Sequence, residues 1–314
     1  NRFKNDFIKP LITIMMISFA ASCSKDNTAE QGTANLYVTD AAIDNADIQG
    51  VFVTVANIKI NGKALTGFSK QTINLMAYQK GETKLLGSEQ IEAGAYNNIE
   101  IYLDQDLDED GNSPGCYMLT SSGKENLAST GVSTHMITAT GAFSVIANSS
   151  TDLIIDFNLR KAVKEEGSGT GNYTFVAQAG LDEAVRIVPK NSTGNISGTY
   201  DGTIGSDQIV VAYAYKKGEY NDATETVENS NGVCFANAQN CDRVEGAVNG
   251  TYKLSFLEEG DYELHFAEFS KNSDGTVSLQ NMLNIDTSGD ISADNIRVTS
   301  GMDVSLSIIL KGTL

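Results

Sequence analysis

Gly250-Thr-Tyr-Lys-Leu-Ser-Phe-Leu-Glu-Glu-Gly-Asp-Tyr-Glu-Leu-His-Phe266 decides the fold class. Tyr252, Leu254 and Phe256 alternate with polar residues. Tyr262, Leu264 and Phe266 do the same after a Glu-Glu-Gly-Asp turn. Successive side chains on a strand point to opposite faces, so this alternation gives each strand one apolar face. The stretch predicts an antiparallel hairpin. Moving outward, the same period recurs in Ile99, Ile101 and Leu103, in Leu153, Ile155, Phe157 and Leu159, in Ile209, Val211, Tyr213 and Tyr215, and in Val304, Leu306, Ile308 and Leu310. Between residues 51 and 60 the phase slips: Val51, Val53 and Val55 are followed by Ile58 and Ile60. One extra residue near Asn57, a β-bulge, accounts for the slip. No helical stripe of three turns stands out. The expectation is an all-β protein of two antiparallel, Greek-key β-sandwich domains.

The breaker cluster Pro189-Lys-Asn-Ser-Thr-Gly194 marks the boundary between them. It sets residues 34–190 as a first sandwich and 191–314 as a second, both of ordinary domain size. Gly167-Ser-Gly-Thr-Gly171 lacks the strand and helix that flank a dinucleotide-binding loop, so it reads as an internal loop.

The chain opens with the basic residues Arg2, Lys4 and Lys9, followed by the uncharged run Leu11–Ser22, LITIMMISFAAS. A bilayer span needs about 20 apolar residues, so the run is too short to cross and reads as a secretory signal. Ala20-Ala-Ser-Cys23 resembles a bacterial lipobox, with Ala20 where such boxes prefer Leu. That resemblance implies a lipoprotein signal peptide at 1–22, cleaved to leave a lipidated Cys23 at the head of the mature chain. Residues 23–33 would form the attachment point and a flexible tether. Each buried acyl CH₂ contributes about 0.8 kcal/mol, so several chains hold a protein stably. Ser24-Lys-Asp-Asn27 resembles the short acidic sorting tags of Bacteroidetes-type lipoproteins, which implies an outer-membrane lipoprotein at the cell surface rather than on the periplasmic face.

Two further resemblances concern the body. Leu36-Tyr-Val-Thr-Asp-Ala41, Val51-Phe-Val-Thr-Val55, the turn around Gly94 and Tyr96, and Leu153-Ile-Ile-Asp-Phe157 resemble the domain of unknown function DUF4382, over about 34–190. Ala42 stands where that family has Pro. The family occurs on exported lipoproteins and carries no established chemistry. Gly194-Asn-Ile-Ser-Gly198 and the 250–266 hairpin resemble the transthyretin-like, carboxypeptidase-regulatory-like domain, over about 194–314. This implies a seven-stranded structural or binding module. The halves also echo each other: a Gly turn leads to Tyr96 in one and to Tyr262 in the other.

Formal net charge is −18, and loss of residues 1–22, with three basic side chains and one acidic, takes it to −20. Such a body repels nucleic acid and anionic lipid heads, so membrane contact runs through the anchor. Cys234 and Cys241 flank a polar stretch, and in an exported protein they suggest a disulfide across a short loop. Cys116 has no obvious partner and is expected to be buried. Asp106-Leu-Asp-Glu-Asp-Gly-Asn112 has the spacing of the first half of a calcium loop, with Asp104 as a further oxygen. The candidate calcium ligands are Asp104, Asp106, Asp108, Asp110 and Asn112. An EF-hand is excluded, because Tyr117 stands where the closing Glu belongs. The alternative reading is a solvated acidic loop.

No catalytic set is visible. The two histidines are His135, in a polar run near Ser133, and His265, expected on the solvated face of its strand. There is no nucleophile elbow, no H-E-x-x-H and no pair of C-x-x-C motifs. Sugar platforms favour Trp, which is absent; Tyr78 and Tyr220 are the loop aromatics. The functional expectation is a non-catalytic binding, adhesion or assembly module for a protein or glycan ligand. The alternative is an accessory or divergent hydrolase acting on extracellular polysaccharide through Asp and Glu.

Overall fold

The structure is a computed structural model and describes residues 29–41, 48–127, 134–166, 172–272 and 277–314. The period-two runs are strands, gathered into two large curled sheets that make the protein nearly all β. The first has eleven strands. Its order is Lys84–Glu92, Gln31–Ala41, Ser150–Asn158, Val185–Pro189, Thr134–Val145, Gly94–Asp104, Gly50–Ile60, Tyr117–Thr120 and Gly123–Asn126. Lys63–Ala64 and Gln71–Asn74 also pair with Gly50–Ile60. Leu36, Val38, Ile99, Ile101, Leu153 and Phe157 turn into one buried core.

The expected bulge is present. The ladder between Gly50–Ile60 and Gly94–Asp104 shifts register between Val55 and Asn57. The extra residue moves the side-chain phase by one, so Val51, Val53 and Val55, then Ile58 and Ile60, are all buried. Two details depart from the sequence reading. The first strand starts at Gln31, inside the stretch expected to be tether, and Gln31–Ala41 lies parallel to Ser150–Asn158. Val185–Pro189 also runs parallel to Thr134–Val145, so the sheet is mixed rather than purely antiparallel. Parallel neighbours require a long crossover, which no local sequence signal announces. Gly141 permits the second of these contacts, because a Cβ there would stand 1.9 Å from the carbonyl oxygen of Ile187.

All nine strands of the second sheet lie within 193–313. Its main path is Asn240–Arg243, Gln208–Lys216, Gly260–Lys271, Val277–Ser288, Ser307–Thr313, Thr193–Thr203 and Val248–Glu258. Ile296–Val298 and Asp303–Ser305 are side additions. Here too Thr193–Thr203 has parallel neighbours, Asp303–Ser305 and Ser307–Thr313. The first half of Val277–Ser288 pairs with Gly260–Lys271 and the second half with Ser307–Thr313. The sheet therefore folds over at this strand and encloses Ile196, Leu254, Tyr262, Phe266 and Ile308. Gln208–Lys216 is buried on both faces. Val210, Ala212 and Ala214 enter that core, while Ile209, Val211, Tyr213 and Tyr215 pack with Phe235, Ala238 and Cys241.

Phe256 corrects the reading of the decisive hairpin. Gly194 pairs with Leu257 and Ile196 with Leu254, so three steps on one strand oppose two on the other. Phe256 occupies this bulge with φ of 54°. Leu257 takes the core position, and the Phe256 ring turns outward to Ile154, Val188 and Tyr37 of the first half. Left-handed backbone costs a bulky residue on the order of 1–3 kcal/mol, and it persists only where surrounding packing imposes it.

Charged groups complete the contact between halves. Lys80 Nζ lies 2.7 Å from Asp242 Oδ2. Burial raises the Asp242 carboxyl above its ordinary range, opposed by the Lys80 ammonium. The Arg160 guanidinium sits 5.0 Å from the Tyr213 ring centre and 5.6 Å from that of Phe235. Val233 enters the first core from the second half.

Candidate functional site

The acidic loop is built on hydrogen bonds to its own backbone. Asp104, ending the Gly94–Asp104 strand, accepts on Oδ1 from the N–H groups of Asp106 and Leu107, both at 3.0 Å. Its Oδ2 pairs with Lys70 Nζ at 3.1 Å. Asp108 Oδ1 accepts from Asp110 N at 3.0 Å and Asn112 N at 2.7 Å, and Asn112 Nδ2 reaches Oδ2 at 3.3 Å. These N–H bonds, led by that from Asn112, hold the Asp108 carboxyl below its ordinary value. Asp104 and Asp108 thus meet N–H donors and a lysine, while the Asp106 and Asp110 carboxylates make no hydrogen bond or ion pair with a described residue. Of the five expected calcium ligands, Asp108 and Asn112 are joined and Asp104 turns to Lys70. Among the described residues no three His, Cys, Asp or Glu side chains are grouped as metal ligands.

The expected Cys234–Cys241 bridge is not formed: neither cysteine is in a disulfide, and each packs in the cluster around Tyr213 and Phe235. Glu225 closes this loop instead. It ends the short helix Asp222–Glu225 and is buried. Its carboxylate accepts from Tyr215 Oη at 2.9 Å, Asn237 N at 3.0 Å and Asn237 Nδ2 at 2.5 Å; its carbonyl accepts from Phe235 N at 2.7 Å. Charge-assisted bonds of this kind are the stronger ones. Nothing in the local pattern distinguishes Glu225 from an exposed glutamate, which is why sequence reasoning passed over it. Nearby, burial pushes the Lys161 ammonium down to about 8, against the attraction of Cys241, Asp156 and Glu225. Cys116 is buried as expected, and desolvation pushes its thiol up to about 12.

Among the described residues, each histidine packs with neighbours that hold it in place. His135 is buried, with Nδ1 at 3.3 Å from Gln105 Nε2 and Nε2 without a hydrogen-bond partner. Ser133 lies outside the described residues, as do Cys23 and the 1–22 segment. His265 is not solvated as expected. Its ring stacks on Tyr220, 3.7 Å between centres, and Nε2 lies buried, 3.8 Å from Glu263 Oε2. Burial lowers its pKa despite Glu263. Tyr220 is therefore committed to His265, and Tyr78 packs against the first core.

A concave surface lies elsewhere, at the end of the first sheet where Gln31–Ala41 begins. A cavity of about 940 Å³ is walled by Gln31 and Thr33, by Gln90 and Glu92, by the turn holding Asn61 and Lys63, and by Asn148, Ser149 and Ser150. Tyr96 lines it and carries it into two adjoining hollows of about 280 and 670 Å³. The Tyr96 ring stacks on Phe143, with centres 5.3 Å apart and planes at 13°. Its hydroxyl donates to the carbonyl oxygen of Glu92 at 2.6 Å. The charged residues along the three hollows are Lys63, Glu92, Asp152 and Lys190, which cancel. The Gly turn leading to Tyr96 was visible in the sequence, but it read as structural only.

Residues 31–177 match the family model of a domain of unknown function, DUF4382. The match begins where the first strand begins and stops before Val185–Pro189, which the fold inserts into the middle of the same sheet. No curated protein matches the chain. Solved structures with some similarity include a leucine-rich repeat protein from Bacteroides thetaiotaomicron VPI-5482, at 12% identity and a TM-score of 0.21. The alignment covers 91% of this chain and 27% of that one, so the chain spans about a quarter of its length. Another is the fimbrial anchor protein Mfa2 from Porphyromonas gingivalis, at 10% identity and 0.21, covering 88% and 90%. A third is GBS52, the minor pilin of Streptococcus agalactiae, at 11% and 0.19, covering 90% and 97%. Superpositions this loose carry no function across. No helix of the described residues is long and apolar enough to cross a membrane.

Proposed function

We propose that this protein is an exported lipoprotein, held to the outer membrane through Cys23 and facing the cell exterior, whose β body serves as a non-catalytic binding or assembly module. The observation that carries the reading is the uncharged run Leu11–Ser22 ending at Cys23, with residues 24–30 between that cysteine and the first strand at Gln31. Supporting it are the strongly acidic composition and a body in which polar networks serve structure, as at Glu225, Asp108 and Arg186. The body divides near 189–194 into a DUF4382 domain and a transthyretin-like domain of seven principal strands.

Protease shaving of intact cells tests the placement. The β body should be digested from wild-type cells while a periplasmic marker survives. Protection of the body until the outer membrane is broken would contradict outward exposure. Turnover of a polysaccharide that ceases on replacing one carboxylate, with the fold intact, would overturn the non-catalytic reading.

A further inference from the structure

We infer that the three-part groove around Tyr96 is a binding site for a neutral oligosaccharide; the inference rests on the reading of the body as a binding module. Its main cavity, about 940 Å³, suits a small ligand, since such sites occupy about 300–1,000 Å³. Its charge selects the ligand class. The protein carries −18, yet the groove's charged residues cancel, so neither a polyanion nor a polycation is favoured there. Four side-chain amides stand open on its walls: Gln31, Asn61, Gln90 and Asn148 make no side-chain hydrogen bond to any described residue. An amide presents two donors and an acceptor, which matches hydroxyl groups that both donate and accept.

Tyr96 supplies the apolar complement. Its hydroxyl is spent on the Glu92 carbonyl and one face rests on Phe143. The remaining ring surface offers a rigid apolar patch to the C–H face of a pyranose. The equivalent residue in the second half makes the contrast. Tyr262 also donates to a carbonyl four residues back, Glu258, at 2.9 Å, but it is fully buried in the core. One device is used inward in the second half and at a surface hollow in the first. A peptide partner would ask for a dry apolar centre, which this amide-rich lining does not provide.

The test is isothermal titration of the full chain with maltohexaose, cellohexaose, xylohexaose and mannohexaose, with tri-galacturonic acid as the acidic arm. At least one neutral hexaose should bind in the millimolar range or tighter, with Tyr96→Ala weakening it about tenfold or more. Should Tyr96→Ala fail to fold, the exposed pair Gln90→Ala with Asn61→Ala carries the test, with a loss of about fivefold expected. The inference is overturned if no neutral hexaose binds, if only the acidic sugar binds, or if folded groove variants bind as wild type does. A chain that is lipidated and surface-exposed but binds none of these sugars would overturn the ligand class and leave the anchoring proposal standing.

Discussion

Arg186 donates to the carbonyl oxygen of Phe256 at 3.0 Å, and the same Nη2 reaches Asp156 Oδ2 at 2.6 Å. Asp156 is also its partner across the strand ladder, and Nε adds a second bond to it at 2.9 Å. One guanidinium therefore closes a buried carboxylate and grips the bulge of the second sheet. Removing it takes away the hydrogen bonds to Asp156 and leaves the Lys161 ammonium as the nearby compensating charge. Arg186→Ala should cost about 3–5 kcal/mol in urea unfolding, whereas Arg186→Met with Asp156→Asn should cost clearly less. Equal losses in the two variants would mean that the ion pair is not what holds this junction.

The backbone at Phe256 gives a sharper test, because two effects oppose. Phe256→Ala removes the ring from its contact with Ile154 and Val188 and keeps a side chain at φ of 54°. A loss of about 3 kcal/mol is expected. Phe256→Gly loses the same ring but relieves the strained φ. It should be the more stable of the two by about 0.5–1 kcal/mol, the reverse of the order in an ordinary strand. Denaturant midpoints compare them directly.

Glu225, and not a covalent bridge, is assigned the closure of the 226–239 loop. Glu225→Ala should cost about 2–3 kcal/mol and open a protease-sensitive site in that loop. Replacing both Cys234 and Cys241 with Ser should leave the loop resistant. Thiol labelling of the native protein should reach half-buried Cys234 first, while Cys116 reacts only on unfolding. The reverse pattern of protease sensitivity would return the loop to the cysteines.

His265 makes stability depend on pH. Its folded pKa is lowered by burial, so the unfolded chain takes up a proton more readily. The stability it permits is complete above the ordinary His value of about 6.5 and declines as pH falls below it toward the lowered folded value. Glu263, Asp222 and Asp294 act in the opposite sense and limit the drop. Thermal midpoints between pH 7 and 5 should fall less steeply in His265→Gln than in wild type. Parallel curves would remove His265 as the cause.

Much of the fold was legible because a strand with one buried face must alternate, and the slip at Asn57 survived as a visible change of phase. The echo between Tyr96 and Tyr262 was also real: each hydroxyl bonds the carbonyl four residues back. Phe256 was misread because the alternation runs through it unbroken; only the pairing of Gly194 with Leu257 reveals the bulge. Parallel pairings such as Leu36 with Leu153 were invisible, since spatial order is set by tertiary packing and leaves no local mark. The acidic loop had the spacing of metal ligands, but backbone N–H groups claim an oxygen of Asp104 and one of Asp108, and spacing cannot tell these uses apart. Tyr96 was seen as a turn residue, and its place on a concave wall appears only when the Asn61 and Asn148 turns meet the strand that carries Gln90.

The most direct test is metabolic labelling with a clickable palmitate analogue, comparing wild type with Cys23→Ala. The wild-type protein should carry the label and partition with membranes, and the variant should carry none and be released. An unlabelled wild type, or label that persists in Cys23→Ala, would contradict attachment through Cys23.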